Sequence, residues 1–225
     1  FVEGGNASGK ASNKVFYIDT ATDKQWKQLP DFPGEARVQP VLAAIEKEND
    51  TLLYVLGGFF GGDATKAPTM GEKVLAFSLK QQQWQEVGVQ ESPNKEIFSL
   101  TGATALAIDN RYIACFGGVN HRLFINTITD LYLLGKDTTL TDEQRKQKNY
   151  DYMSHYMTQP IEYYQFNKEC YLFDTHSQQW SVLDTQADFA RAGATLVGTP
   201  AEFYLVQGEL KPGVRSPKTY RLKIN

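Results

Sequence analysis

The chain reads as an all-β repeat protein, a β-propeller of four-stranded blades, and three observations carry that reading. Glycine doublets close apolar strands at Gly4-Gly5, Gly57-Gly58 and Gly117-Gly118, and Gln207-Gly208 takes the equivalent place in a fourth copy. An alternating strand follows the first three: KVFYID at 14–19, KVLAFS at 73–78 and ECYLFD at 169–174. A tryptophan comes next in each copy, Trp26, Trp84 and Trp180, lying 7, 6 and 6 residues beyond Asp19, Ser78 and Asp174. Self-similarity on this scale marks supersecondary units that bury a core only by stacking on their neighbours.

The elements follow in order. The repeats span about 1–37, 38–99, 100–191 and 192–225, the third carrying an insertion over 121–165 and the fourth incomplete. In each, the glycines let the backbone turn sharply and approach the next blade, and the tryptophan supplies apolar area between adjacent sheets. The doublets start at 4, 57, 117 and 207, so the third repeat exceeds its neighbours by roughly 30 residues and the ~50-residue period by more than that. Within the excess, Thr141 followed by Gln144 predicts a capped helix start. Tyr152, Met153, Tyr156 and Met157 continue at helical spacing, and Pro160 ends the run. These aromatics either seat a surface helix on the blade or form a lid over the channel. The fourth copy continues through FYLV at 203–206 and a third strand over 220–224. The pattern as a whole resembles the kelch repeat. Because the chain enters at a second strand and leaves at a third, a closed ring is expected to take further blades from the rest of the protein or from another chain.

Composition narrows the function. The 225 residues are 41% hydrophobic, with a net charge of −3 and a pI near 5.7. That balance gives no field for nucleic acid or an anionic membrane, so an anionic ligand must be held by a few local cations. No apolar run approaches the ~20 residues of a membrane span. The two cysteines, Cys115 and Cys170, read as buried small hydrophobes on neighbouring strands, with a disulfide as the other option. No Cys-x-x-Cys or His-Glu-x-x-His spacing calls for a metal, and the opening Phe1-Val2-Glu3 lacks a signal peptide.

Propeller strands alternate in direction, so the loops joining strands 2 and 3 share one face with those joining strand 4 to the next blade. The long loops at 59–72, 119–165 and 209–215, and the connections at 30–37, 90–99 and 187–191, are therefore expected at one mouth. Functional loops grouped on one rim of a rigid scaffold suit a binding site. Arg37 and Gln39 lead into an inner strand, where they either reach the channel or, for Arg37, bridge blades. Asn120 is a candidate contact or a plain turn former. His155 lies in the insertion, while Glu162, Tyr164 and Asn167 return it to the blade. The stretch QGELKPGVR at 207–215 is the most telling. Glu209 and Arg215 flank a Pro212-Gly213 turn that brings them together, as a catalytic pair over the axial opening or as a salt bridge holding the loop.

These stretches resemble the sialic acid mutarotase (N-acetylneuraminate epimerase) family of bacterial six-bladed kelch propellers. The likeness is carried by LPDFPG at 29–34 with Arg37 and Gln39, by GGVN at 117–120, by His155-Tyr156, by 162–168, and by GELKPGVR at 208–215. It implies Glu209 as proton acceptor and Arg215 as the group that engages the sugar carboxylate. Arg37, Gln39, Asn120, His155, Glu162 and Tyr164 are expected around the sugar. It further implies no cofactor, a sialic acid as the small-molecule partner, and a periplasmic or envelope location, with a start that suggests the cyclically permuted branch. The chemistry fits: anomer exchange in a 2-keto sugar acid needs a base for the anomeric hydroxyl and a proton for the ring oxygen. A neighbouring arginine favours the ionised form of a carboxylate. Tyr164, His155 or water are open as the second proton source. The competing reading is a non-catalytic propeller that binds a protein or an acidic sugar.

Overall fold

The computed structural model describes residues 1–7, 9–199 and 201–223. Among the described residues, four of the antiparallel sheets are blades standing side by side, each a meander running outward from its inner strand. The second blade is complete, with strands Val38–Lys47, Asp50–Phe60, Lys73–Ser78 and Gln83–Val89 in that spatial order. So is the third, with Thr104–Ile108, Tyr112–Phe116, Glu169–Asp174 and Gln179–Thr185. The first blade holds three strands, Val2–Glu3, Val15–Tyr17 and Lys27–Leu29, and the fourth holds Thr195–Thr199, Glu202–Val206 and Thr219–Leu222. Ile224, expected to extend that last strand, lies outside the described residues.

Period-two alternation explains why the blades stack. In Asp50–Phe60, Leu53 and Val55 face the first blade beside Val15, Phe32 and Phe77. Tyr54 and Leu56, one residue out of phase, face the third blade beside Ile113, Cys115 and Phe173. A third core, with Phe116, Cys170, Phe203 and Leu205, joins the third blade to the fourth. Strands buried on both faces read as near-continuous apolar runs, as YVL and YIACF do. Two of the three tryptophans act as expected, whereas Trp26 on the first blade is 54% exposed. Trp84 Nε1 donates to the Pro30 carbonyl and Trp180 Nε1 to the Val89 carbonyl, both at 2.9 Å. Each ring thus packs on the preceding blade and satisfies the one polar group it buries.

The doublets show why glycine is needed. At Gly57 (φ +68°) a Cβ would stand 2.6 Å from the carbonyl carbon of Leu100 in the next blade, and Gly117 meets the Arg191 carbonyl in the same way. Cys115 and Cys170 sit on adjacent strands, but the register pairs Cys115 with Tyr171 and Cys170 with Phe116. The two thiols therefore point to opposite faces of the sheet, into different cores, and both are free.

The insertion is two helices where the sequence signalled one. The first, α1 (His121–Lys136), precedes the second, α2 (Asp142–Thr158), and a 3-10 turn at Ile161–Tyr164 leads back to the blade. The capping box on α2 is present: Gln144 N–H donates to Thr141 Oγ1 at 3.2 Å, and Thr141 N–H to Gln144 Oε1 at 2.9 Å. Leu123, Phe124, Leu131 and Leu134 give α1 a helical apolar stripe, and buried Thr127 lies within it with its hydroxyl on the Leu123 carbonyl. α1 lies over the loop of the second blade, through Phe124 edge-on to Phe59 at 4.9 Å and Lys136 to the Ala64 carbonyl at 2.8 Å.

Candidate active site

The inner rim is built by backbone. Gly102 N–H donates to the Gln39 carbonyl at 3.0 Å, and Gly193 N–H to the Gly102 carbonyl at 2.7 Å. Equivalent residues of three successive blades are thereby linked head to tail around the channel. The second and third of them are glycines at φ +71° and +62°, yet the first is Gln39 at +56°. A side chain in that left-handed region costs about 1–2 kcal/mol, and such strain concentrates where function needs the side chain. Gln39 is exposed, with Oε1 beside Gly102.

The 209–215 hairpin rises next to this rim. Glu209 exchanges both backbone hydrogen bonds with Ala192, donating at 2.7 Å and accepting at 2.9 Å. Its cross-strand partner is Arg215, with a register shift before Lys211 pairs with Val214. The Pro212-Gly213 turn does what its residues imply: it folds Glu209–Lys211 onto Val214–Arg215. Arg215 Nη2 stands 3.4 Å from Glu209 Oε1, with the arginine side chain 66% exposed and the glutamate 32%. That separation is longer than a strong charge-assisted hydrogen bond, and a pair this open adds little to stability. Both groups keep hydrogen-bonding capacity for a ligand.

The other expected site residues divide. Arg37 is 7% exposed, donates from Nη1 to the Gly57 carbonyl at 3.0 Å, and covers the Phe32 ring at 5.2 Å. Arg191 repeats this two interfaces on, between the third and fourth blades, with Nη1 on the Gln207 carbonyl at 2.6 Å and its guanidinium over Tyr220. Of the two roles the sequence left open for Arg37, the structure shows the inter-blade one. Asn120 is the N-cap of α1, its Oδ1 accepting from Leu123 N–H at 3.0 Å. Tyr164 is buried and its hydroxyl donates to the Tyr156 carbonyl, so this phenol is committed to seating the insertion. Burial raises its pKa above the ordinary phenol value. Asn167 clips the carbonyls of Ser99 and Gly117 at 2.6 and 2.9 Å. His155 is exposed on α2, its ring Nε2 3.1 Å from the Gln159 amide.

A cleft of about 860 Å³ opens beside the hairpin, lined among others by Glu96, Phe98, Asn120, Arg122, Glu162 and Leu210. Asn120 and Glu162 thus face one space. Glu209, Arg215, Gln39 and His155 are not part of its lining, and Leu210 is the hairpin's contribution to it. The structure therefore brings Glu209 and Arg215 together at the rim and sets Asn120 and Glu162 in the adjoining cleft. Sequence reasoning missed Lys211, whose ammonium reaches the end of α2. Its placement inside QGELKPGVR was the available signal. Among the described residues no three His, Cys, Asp or Glu side chains cluster so as to hold a metal ion.

Comparison with known proteins agrees with this architecture. The solved structure of YjhT superposes with a TM-score of 0.77 at 28% identity, over 97% of this chain and 58% of that one. N-acetylneuraminate epimerases of Escherichia coli K12 and Shigella flexneri are each 31% identical over 215 residues, 95% of this chain and 53% of theirs. The chain spans about half the length of the curated relatives it matches. The family model for N-acetylneuraminate epimerase aligns with residues 7–225. With nearly every residue inside that alignment, and with the propeller it requires, the chain belongs to the N-acetylneuraminate epimerase family.

Proposed function

We propose that the protein built on this chain interconverts the α and β anomers of N-acetylneuraminate, with Glu209 as proton acceptor and Arg215 as the carboxylate clamp. The observation that carries this is the Glu209–Arg215 pair, directly opposite on one hairpin beside the rim and held only loosely, at 3.4 Å. Glu209 removes the proton of the anomeric hydroxyl. The bond between the anomeric carbon and the ring oxygen breaks, the ring oxygen takes a proton, and a keto group is left. The carbonyl turns, and closure from its other face reverses each transfer, the protonated Glu209 returning what it took. Arg215 presents its fork to the substrate carboxylate and fixes which face meets Glu209. Gln39 is a further contact from the rim, and Asn120 and Glu162 contact the sugar from the cleft. His155, exposed on α2, is the remaining protein candidate for the ring-oxygen proton, beside water.

The reading extends to the whole protein. The ring is completed by blades outside this chain, and family resemblance supports a periplasmic or envelope location in a bacterium. The deciding experiment follows α-N-acetylneuraminate, freshly released by a sialidase, by proton NMR with the full-length protein. The α signal is expected to decay well ahead of the buffer rate. Decay at the buffer rate overturns the proposal.

A further inference from the structure

Lys211 lies two residues beyond Glu209, and its side chain leaves the hairpin for the insertion. The ammonium donates to the Gln159 carbonyl at 2.7 Å and to the Met157 carbonyl at 3.2 Å. Met157 is in the last turn of α2 and Gln159 is its C-cap. Carbonyls there have no partner within the helix, and the helix end carries partial negative charge. A cation is the group that answers both needs. Met157 also packs at the hairpin tip, its Cε 3.6 Å from where a Cβ on Gly213 would stand.

On its other side the same hairpin is held to the blade. Glu209 pairs through its backbone with Ala192, and Arg191 grips the Gln207 carbonyl. The hairpin is thus suspended between the fourth blade and a helix inserted in the third, with Lys211 as the tie on the helix side. The register shift falls between Glu209 and Lys211, so the two side chains are set by one short irregular strand.

We propose that Lys211 is a positioning residue, which anchors the Glu209–Arg215 hairpin to the C-terminus of α2 and so sets the placement of the proton acceptor. This rests on the mutarotase reading above. Misplacement of a reacting group by about 1 Å costs on the order of 100-fold in rate. Lys211→Met in the full-length protein is therefore expected to lower kcat roughly 10- to 100-fold, with a smaller change in KM. Amide exchange across 209–215 should accelerate while the thermal midpoint holds. Lys211→Arg, which restores a cation and donors, should recover most of the kcat. A Lys211→Met enzyme with wild-type kcat overturns the proposal, as does an Arg variant no better than Met. If the unmodified protein shows no mutarotation, the preceding reading fails by itself. Exchange then judges the tie alone, and unchanged protection of 209–215 in Lys211→Met refutes it.

Discussion

Glu209 and Arg215 meet across the hairpin with 3.4 Å between their charged groups. Their contact is too open to be needed for folding, and either one can be replaced with little effect on stability. Glu209→Gln keeps shape and hydrogen bonding but cannot accept a proton. Its kcat is expected to fall about 10²- to 10⁴-fold with KM nearly unchanged. Arg215→Ala should instead raise KM about 10- to 100-fold, the value of losing hydrogen bonds to a charged group. Steady-state NMR kinetics separate the two patterns, and a kcat loss of similar size in both would merge their roles. This pair was legible in the sequence because a Pro-Gly turn determines which flanking residues meet. Tyr164 was not legible, since its hydroxyl is committed to the Tyr156 carbonyl by a fold that spacing cannot show. Nor was the backbone of Gln39. A left-handed glutamine is visible only once Gly102 and Gly193 are seen to be its equivalents around the rim.

At the scale of elements, the insertion is where local signals succeeded and failed side by side. Thr141 and Gln144 announced α2 because a capping box is a short-range pattern, complete within one turn. α1 has a cap of another kind: Asn120 accepts from Leu123 N–H, and no acidic residue occupies the first turn. Its run of Ile, Thr and Tyr weakens helix propensity, and the helix forms because Phe124 and Lys136 dock on the second blade. Asn120 therefore has two possible duties, capping α1 and lining the cleft, which substitution can divide. Asn120→Asp keeps the cap acceptor, whereas Asn120→Ala removes it at a cost of about 1 kcal/mol. Amide exchange in the first turn of α1 is expected to quicken in the Ala variant alone. If mutarotation falls equally in both variants, the side-chain amide itself serves the substrate; if only Ala loses activity, the cap does.

For the whole molecule, the sequence period was enough to show the propeller, because each blade repeats the same solution to the same packing problem. What period could not show is how completely the interfaces exclude water, and that has a consequence at high pH. Cys170, Tyr156 and Tyr171 are pushed up to about 12, chiefly by burial, from ordinary values of 9.0 for the thiol and 10.0 for the phenols. Burial likewise raises Cys115 well above the ordinary thiol value. Tyr171 stacks on Phe98 at 3.8 Å, so ionising it would place charge inside the interface between the second and third blades. A group whose folded pKa is raised stays protonated in the native state after the unfolded chain has lost its proton. The stabilisation is then whole below about pH 9 and is lost as pH rises from there toward 12. Urea midpoints are expected to be level from pH 7 to pH 8.5 and to fall progressively above 9, with both thiols silent to a disulfide reagent at pH 8 until the protein unfolds. A midpoint that holds steady to pH 11, or a thiol that reacts in the native protein, would mean that the interfaces between blades admit water and that the cores described here are not sealed.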